Sequence, residues 1–294
     1  MLINFLKNKK IDFNLDFDLT CVSPAKIGGR ARLAIFPKTE NQLLSLLNFC
    51  LHKKIFYKII GNASNLLFFD KIDFPLIFTT AIDEKIKIEG NIVSVSAGYQ
   101  LQKFCDDLKK HSLSGLEGLC GIPATVGGAI VNHAGAFGYQ ISDKLVSIKV
   151  FNNGKIYELK KDKIKFCHHY SNLKGLIILS ACFLFEKKEE YDIMNLCMKY
   201  SFLRSKTQPI GYSLGSTYKK VGEKSAGFYI ERCGLKGYHV GGLAISRKHA
   251  NFFINDGTAS ALDFLRLDSI VKQKVLSQFG VELSLEIEKV GEKI

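Results

Sequence analysis

From Thr39 the chain reads TENQLLSLLNFCLHKK, with Thr39 and Gln42 in a capping-box relation and Leu43, Leu46, Leu47, Cys50 and Leu51 at helical spacing. A helix is predicted there, followed by a strand in IFYKII and the turn-rich loop GNASNLLFF. Residues 91–98 alternate as a strand, and Leu101, Phe104, Cys105 and Leu108 predict the next amphipathic helix. The segments KLVSIKVF, KIYELK and LIILSACFLF read as strands of a mostly antiparallel second sheet. A charged helix around residues 186–204, with KTQPIG after it, suggests a domain boundary. Beyond it come a short helix near residues 226–233 ended by Gly234, strand material in GGLAISRKHANFFIN, and a long helix with Phe264, Leu267, Val271 and Val275 on one face. The last segment, VELSLEIEKV, alternates as a strand. No internal repeat is found.

One stretch fits none of these patterns. Between Gly115 and Gly138 stand seven glycines, and Glu117 is the single charged residue. A flexible linker is polar, whereas Ile122, Val126, Ile130 and Val131 ask for burial beside backbone that must approach something closely. Such a stretch most often lines a bulky planar or phosphorylated cofactor, with close packing of backbone segments as the rival reading.

The chain has 294 residues, 47% of them hydrophobic and 23% charged, the balance of an ordinary folded protein of roughly two domains. Its longest apolar stretch, Leu176 to Phe185, is far short of the roughly 20 residues of a membrane span. The N-terminal apolar run is too short for a secretory signal. A cytoplasmic protein without membrane insertion is therefore expected. The net charge of +13 is spread thinly and has no basic run with interleaved aromatics, which argues against nucleic acid and for anionic small molecules. The eight cysteines form no CxxC pair and read as small apolar residues in a reducing compartment.

Several motifs carry candidate chemistry. Small residues in Gly61-Asn62-Ala63-Ser64-Asn65 let successive backbone N–H groups converge on phosphate oxygens, although a simple tight turn looks the same. Gly211-Tyr212-Ser213-Leu214-Gly215 matches the nucleophile elbow of serine hydrolases, but lacks the strand before it and the helix after it. His168 and His169, as strand neighbours, would point to opposite faces and have no third ligand at a suggestive spacing, so no metal site is expected. Glu282, Glu286 and Glu288 fall on the polar face of the last strand, where solvated carboxylates are the default.

Taken in order, IGGRARL, GNASNLLF, GLEGLCGIPATVGGA, AGAFG, RSKTQP, GSTYKK, AGFYIERCGLKGYHVGG, SRKHANFFIN and LSLEIEKVG resemble the UDP-N-acetylenolpyruvoylglucosamine reductases, over nearly the whole chain. The short path between Tyr170 and Ser216 looks like the compact subtype without an extra tyrosine-bearing loop. The resemblance implies an α+β protein: a two-lobed FAD-binding domain of the vanillyl-alcohol-oxidase type followed by a smaller α/β substrate-binding domain. Its expected bounds are a lead-in at 1–26, the FAD domain at 27–190 with lobes at about 27–80 and 81–190, and the substrate domain at 191–294. It further implies a monomer that uses NADPH and FAD to reduce UDP-N-acetylglucosamine enolpyruvate to UDP-N-acetylmuramate for peptidoglycan. Gly61, Asn62, Ala63, Ser64 and Asn65 match the family's pyrophosphate loop, and Gly121, Ile122, Pro123, Ala124, Thr125, Gly127, Gly128 and Ala129 the segment beside the isoalloxazine. Ser216 matches the proton donor and Glu286 the assisting carboxyl group, while Lys219, Lys220, His249 and Asn251 fall in blocks that bind substrate. Hydride addition leaves carbanion character beside a carboxylate, so a nearby proton and stabilisation of the enolate are what the chemistry needs.

Some positions depart from the family pattern. His169 stands where an arginine usually polarises the substrate carboxylate, replacing a permanent bidentate fork by a weaker contact. His133 replaces a usual Asn, Ala124 and Ala63 usual glycines, and Tyr218, Lys220 and Val221 usual Phe, Asn and Pro. At a position of positive φ the added methyl of Ala63 or Ala124 would strain the backbone. Two readings follow: a working reductase in which His169 does the arginine's task, or a non-catalytic FAD or UDP-sugar binding protein.

Overall fold

A computed structural model describes residues 1–83, 85–167 and 169–291. The chain divides into two compact units: Met1–Leu15, Leu33–Asn62 and Phe74–Leu203 form the first, and Asp16–Arg32, Ala63–Asp73 and Arg204–Ile294 the second.

The first unit carries helices α1 (Leu2–Asn8), α2 (Glu40–His52), α3 (Leu101–Lys110) and α4 (Val126–Val131), and most of α5 (Glu190–Thr207). Thr39 caps α2 as its spacing predicts, accepting from Gln42 N at 3.1 Å, and the Gln42 side chain reaches back to Lys38 N at 2.7 Å. The predicted face of α2 buries Leu43, Leu46, Leu47 and Cys50, whereas Leu51 lies at the exposed edge. An antiparallel five-stranded sheet runs in the order Lys155–Lys160, Leu145–Asn152, Ile177–Leu184, Ile92–Ser96, Ile86–Glu89. A smaller parallel set joins residues 34–35 to Leu76–Phe78, and those to Lys58–Ile60, with α2 as the crossover. Two cores result. One packs α3 and α4 on the antiparallel sheet through Phe104, Leu108, Ile130, Ile148 and Phe183, and the other packs α2 on the parallel strands through Leu46, Leu47, Ile35 and Ile77.

In the second unit α6 (Ala226–Arg232) and α7 (Ala261–Phe279) pack with an antiparallel sheet of His239–Val240, Leu243–Ile245 and Phe253–Asn255. Phe264, Leu267, Val271 and Val275 of α7 are buried together with Ile230, Leu243, Phe253 and Ile287, as their spacing predicts. The expected strand in VELSLEIEKV is different: regular pairing is confined to Glu288–Val290, which runs parallel to Leu66–Phe68. Before it, residues 284–286 meet the chain around Tyr218 through single rungs. Alternation reports which side chains face inward, not the length of a ladder.

Ser260 and Asp263 form a reciprocal capping box at the start of α7, Asp263 N donating to Ser260 Oγ at 3.2 Å and Ser260 N to Asp263 Oδ2 at 2.9 Å. Ser260→Ala is expected to cost about 1 kcal/mol, read as a fall in melting temperature of about 2–4 °C.

Candidate active site

The glycine-rich segment of the first unit is built by close approach of backbones. A Cβ at Gly61 would lie 2.7 Å from Thr125 Oγ1, one at Gly127 would lie 2.9 Å from Ala97 Cβ, and one at Gly98 would lie 2.3 Å from Thr79 O. These glycines let the turn after Lys58–Ile60, the turn after Ile92–Ser96 and the start of α4 stack on one another. Hydrogen bonds hold the stack: Asn62 Nδ2 donates to Pro123 O at 2.9 Å, Gly127 N to Ala97 O at 2.8 Å and Gly128 N to the Thr125 hydroxyl at 3.1 Å. Gly121 N donates to Gln102 Oε1 at 2.5 Å, with Gly121 at φ +85°. Thr125, Gly127 and Ala129 are buried, while Gly121 and Pro123 are exposed and Ile122 and Ala124 half-buried. The packing reading of this segment holds for its buried glycines, and its outer surface carries no charged side chain. That surface fits the flat ring system of FAD, and the backbone turn at Gly61 and Asn62 fits an anion.

Ala63, in the second unit, has φ +54°, so the strain expected of a methyl at this position is present. Ala124 is not among the residues of positive φ, so its methyl is accommodated without backbone strain. Ser64 is half-buried, and Asn65 ties its loop to the other end of the chain. Its Nδ2 donates to Glu286 O at 3.1 Å, and its carbonyl accepts from Glu288 N at 2.9 Å.

The second unit brings Ser216 and Glu286 onto neighbouring segments. Thr217 N donates to Asn251 O at 2.8 Å, and Ser216 bridges Phe252 on the same side. On the other edge, Glu286 N donates to Thr217 O and Lys219 N to Ser284 O, both at 2.9 Å. Asn251 is buried, and its carboxamide closes on one peptide unit: Tyr218 N donates to Oδ1 at 3.0 Å and Nδ2 donates to Tyr218 O at 2.9 Å. Beneath the segment, the Tyr218 hydroxyl donates to Asp268 Oδ1 at 2.8 Å and Lys272 Nζ to Asp268 Oδ2 at 2.9 Å. Burial, and then the Asp268 carboxylate, push the Tyr218 phenol far above its ordinary range and keep it a donor.

Glu282 and Glu288 are exposed, as expected of the polar face, but Glu286 is half-buried. Burial raises its carboxyl to about 7, against the opposing pull of the Lys219 ammonium. The solvated reading of this residue is thus corrected, because its backbone is stitched on both sides and its side chain is drawn inward. Lys219 is half-buried and Lys220 exposed. His249 lies in the turn that returns the chain to Asn251, where its Nδ1 accepts from Asn251 N at 3.2 Å and its ring meets Phe252 at 4.8 Å. Burial lowers its pKa, so His249 is a neutral ring at pH 7 with Nε2 as donor.

His169 is in the first unit, at the turn closing the hairpin of Phe166–Cys167 and Tyr170–Ser171, half-buried at φ +51°. The expectation that His168 and His169 face opposite sides of a strand is corrected for His169, which sits in the turn; His168 lies outside the described residues. His133, at φ +45°, holds this hairpin beside its turn: Nδ1 donates to Cys167 O at 2.6 Å, Nε2 meets Ser142 Oγ at 2.8 Å, and the ring packs on Phe166 at 4.7 Å. Sequence reasoning missed both this clamp and the Tyr218–Asp268–Lys272 chain. The signal for the latter was an aspartate beside Leu267 on the buried stripe of α7.

Residues 31–160 match the FAD-binding domain model, and 207–290 match the C-terminal domain of UDP-N-acetylenolpyruvoylglucosamine reductase. A Phl p 4 variant, a glucose oxidase, covers 64% of the chain with 44% of its own, at TM-score 0.50 and 11% identity, a likeness of fold alone. The chain is thus a flavoprotein with an FAD-binding domain of the vanillyl-alcohol-oxidase type. The reductase of that name from Caldicellulosiruptor bescii is 37% identical over 98% of this chain and 94% of its own. The crystal structure of the reductase from Thermus caldophilus superposes with TM-score 0.81 at 28% identity, covering 95% of this chain and 98% of that one. The chain belongs to the UDP-N-acetylenolpyruvoylglucosamine reductase family.

Glu286 yields a pH prediction with a definite sign. Its folded pKa of about 7 exceeds the ordinary carboxyl value of 4.5, so the native state binds a proton that the unfolded chain has released between those values. The contribution to stability is full below about 4.5 and is lost as pH rises through about 7. Glu286→Gln is expected to match the parent in thermal unfolding at pH 5 and to exceed it at pH 8.5; an equal difference at both would overturn this.

Proposed function

We propose that this flavoenzyme reduces the enolpyruvyl double bond of UDP-N-acetylglucosamine enolpyruvate, with NADPH as reductant, to give UDP-N-acetylmuramate for peptidoglycan. The observation that carries the chemistry is Glu286, a carboxyl group raised to about 7 on the segment hydrogen-bonded to the Ser216–Lys219 stretch. Bound FAD supplies a hydride at N5 once NADPH has reduced it. The Ser216 hydroxyl gives the proton to the carbon that carries the carboxylate, and Glu286, protonated over much of the neutral range, assists that transfer. In this reading Lys219 and the Nε2–H of His249 meet anionic oxygens of the sugar nucleotide, with the exposed Lys220 beside them. Asn251 positions, since both polar atoms of its side chain are committed to Tyr218. Residues 27–190 hold the flavin and 191–294 the sugar nucleotide. His169 takes the arginine's place toward the substrate carboxylate, contributing one N–H where a fork would contribute two.

The non-catalytic reading gains no support from the relatives, which carry the reductase name throughout most of their length. Ser216→Ala tests the catalytic one. It is expected to lower kcat by about 10²–10⁴ while the flavin band still bleaches with NADPH, because the lost proton belongs to the second half-reaction. Undiminished turnover in this variant would remove Ser216 from the mechanism.

A further inference from the structure

We propose that Cys120 and Cys197 form a paired oxidation site that hydrogen peroxide closes to a disulfide, tying α5 to the loop beginning at Gly121. Their sulfurs lie 3.2 Å apart, one thiol donating to the other, although 77 residues separate them. Bridge formation brings the sulfurs to about 2.05 Å, a closure of little more than an ångström that rotation about the two Cα–Cβ bonds can supply. Chain context explains the encounter. Cys120 is the last residue before the exposed loop Gly121–Ala124, and Cys197 faces it from α5. One helical turn further along, Tyr200 packs on Phe137 at 5.3 Å and on Tyr139 at 5.4 Å, so α5 is docked on this segment at two successive points.

The two thiols differ in access. Cys120 is buried and Cys197 half-buried, so peroxide meets Cys197 first. As a thiolate, Cys197 attacks one peroxide oxygen, breaking the O–O bond and leaving a sulfenic acid and hydroxide, which takes up the proton the thiol released to become water. The Cys120 thiolate then attacks that sulfur and displaces hydroxide, which takes up a proton. In sum, two thiols and one peroxide become one disulfide and two waters. Hydrogen bonding to Cys105 and burial push the Cys120 thiol up to about 12, against the opposing effect of Cys197, and Cys197 is raised as well. The reduced pair is thus stored as thiols, and bridging accelerates as pH rises. Cys105, hydrogen-bonded to Leu116 O at 3.9 Å on the inner side of Cys120, is the competing partner.

The bond itself is independent of the proposed reaction; its effect on the flavin rests on that reading. The holoprotein is treated with hydrogen peroxide at pH 8.5, the remaining thiols are alkylated, and a digest is analysed by mass spectrometry without reduction. A linked peptide pair carrying Cys120 and Cys197, two hydrogens lighter and separated by dithiothreitol, is expected in the parent and in Cys105→Ala, and is absent from Cys197→Ala. Recovery of both cysteines alkylated, their separate oxidation to sulfinic acids, or a Cys105–Cys120 bridge would overturn the site. In bridged protein, NADPH is expected to bleach the flavin several-fold more slowly, with the rate restored by dithiothreitol. An unchanged rate in protein shown to be bridged would overturn the coupling to the cofactor loop.

Discussion

The carboxamide of Asn251, closed on the N–H and C=O of Tyr218, is the constraint on which the second unit's chemistry depends. The stretch Ser216–Lys219 is too irregular to be held by a ladder, so its backbone groups are paired one by one: Thr217 N with Asn251 O, Thr217 O with Glu286 N, Lys219 N with Ser284 O. An asparagine side chain reproduces the donor and acceptor of a neighbouring strand at the one place where backbone does not reach. Leaving either buried group of Tyr218 unpaired would cost about 1–3 kcal/mol, and the lost register would pass directly to Ser216 and Glu286. Below, the Tyr218 hydroxyl on Asp268 fixes the same peptide from the core side. The tyrosine found where a phenylalanine is usual thus adds an anchor, since Asp268 also receives Lys272.

In the first unit the corresponding constraint is steric. Glycine at 61, 98 and 127 removes the Cβ atoms that would hold three turns apart, and what remains outside is a rigid strip of uncharged backbone and small side chains. In the proposed function this strip lies along the flavin ring. The two alanine departures separate on physical grounds: Ala63 carries left-handed strain and Ala124 does not.

How much of this was legible in the sequence follows from the range of each interaction. Helix faces were readable because Leu43, Phe104 and Phe264 repeat with a local period, and the cap of α2 because Thr39 lies three residues from Gln42. The final strand was overread, since alternation from Val281 to Ile287 records burial of Leu283 and Ile287 without a continuous partner. Glu286 was legible as a member of the family pattern and illegible as a perturbed acid. Its environment comes from Asn65 and Lys219, distant in sequence. The roles of Asn251 and Asp268 were hidden for the same reason: no local spacing links them to Tyr218.

The two histidine departures, isolated in the sequence, are one feature of the fold. His133 bonds the first strand of the hairpin at Cys167 and His169 sits in its turn, both in the left-handed region, where histidine and asparagine are tolerated better than most side chains. Replacing a usual asparagine by His133 therefore preserves the backbone while lengthening the reach. The two ring nitrogens of His133 reach Cys167 O on one side and Ser142 Oγ on the other. Because Cys167 O can only accept, Nδ1 must carry the hydrogen, which sets the tautomer and lets Nε2 take the serine hydroxyl. The hairpin is thereby pinned one residue before its turn. In the role proposed for His169, a single-point contact needs that pinning more than a bidentate arginine does, since a fork fixes its own orientation against a carboxylate.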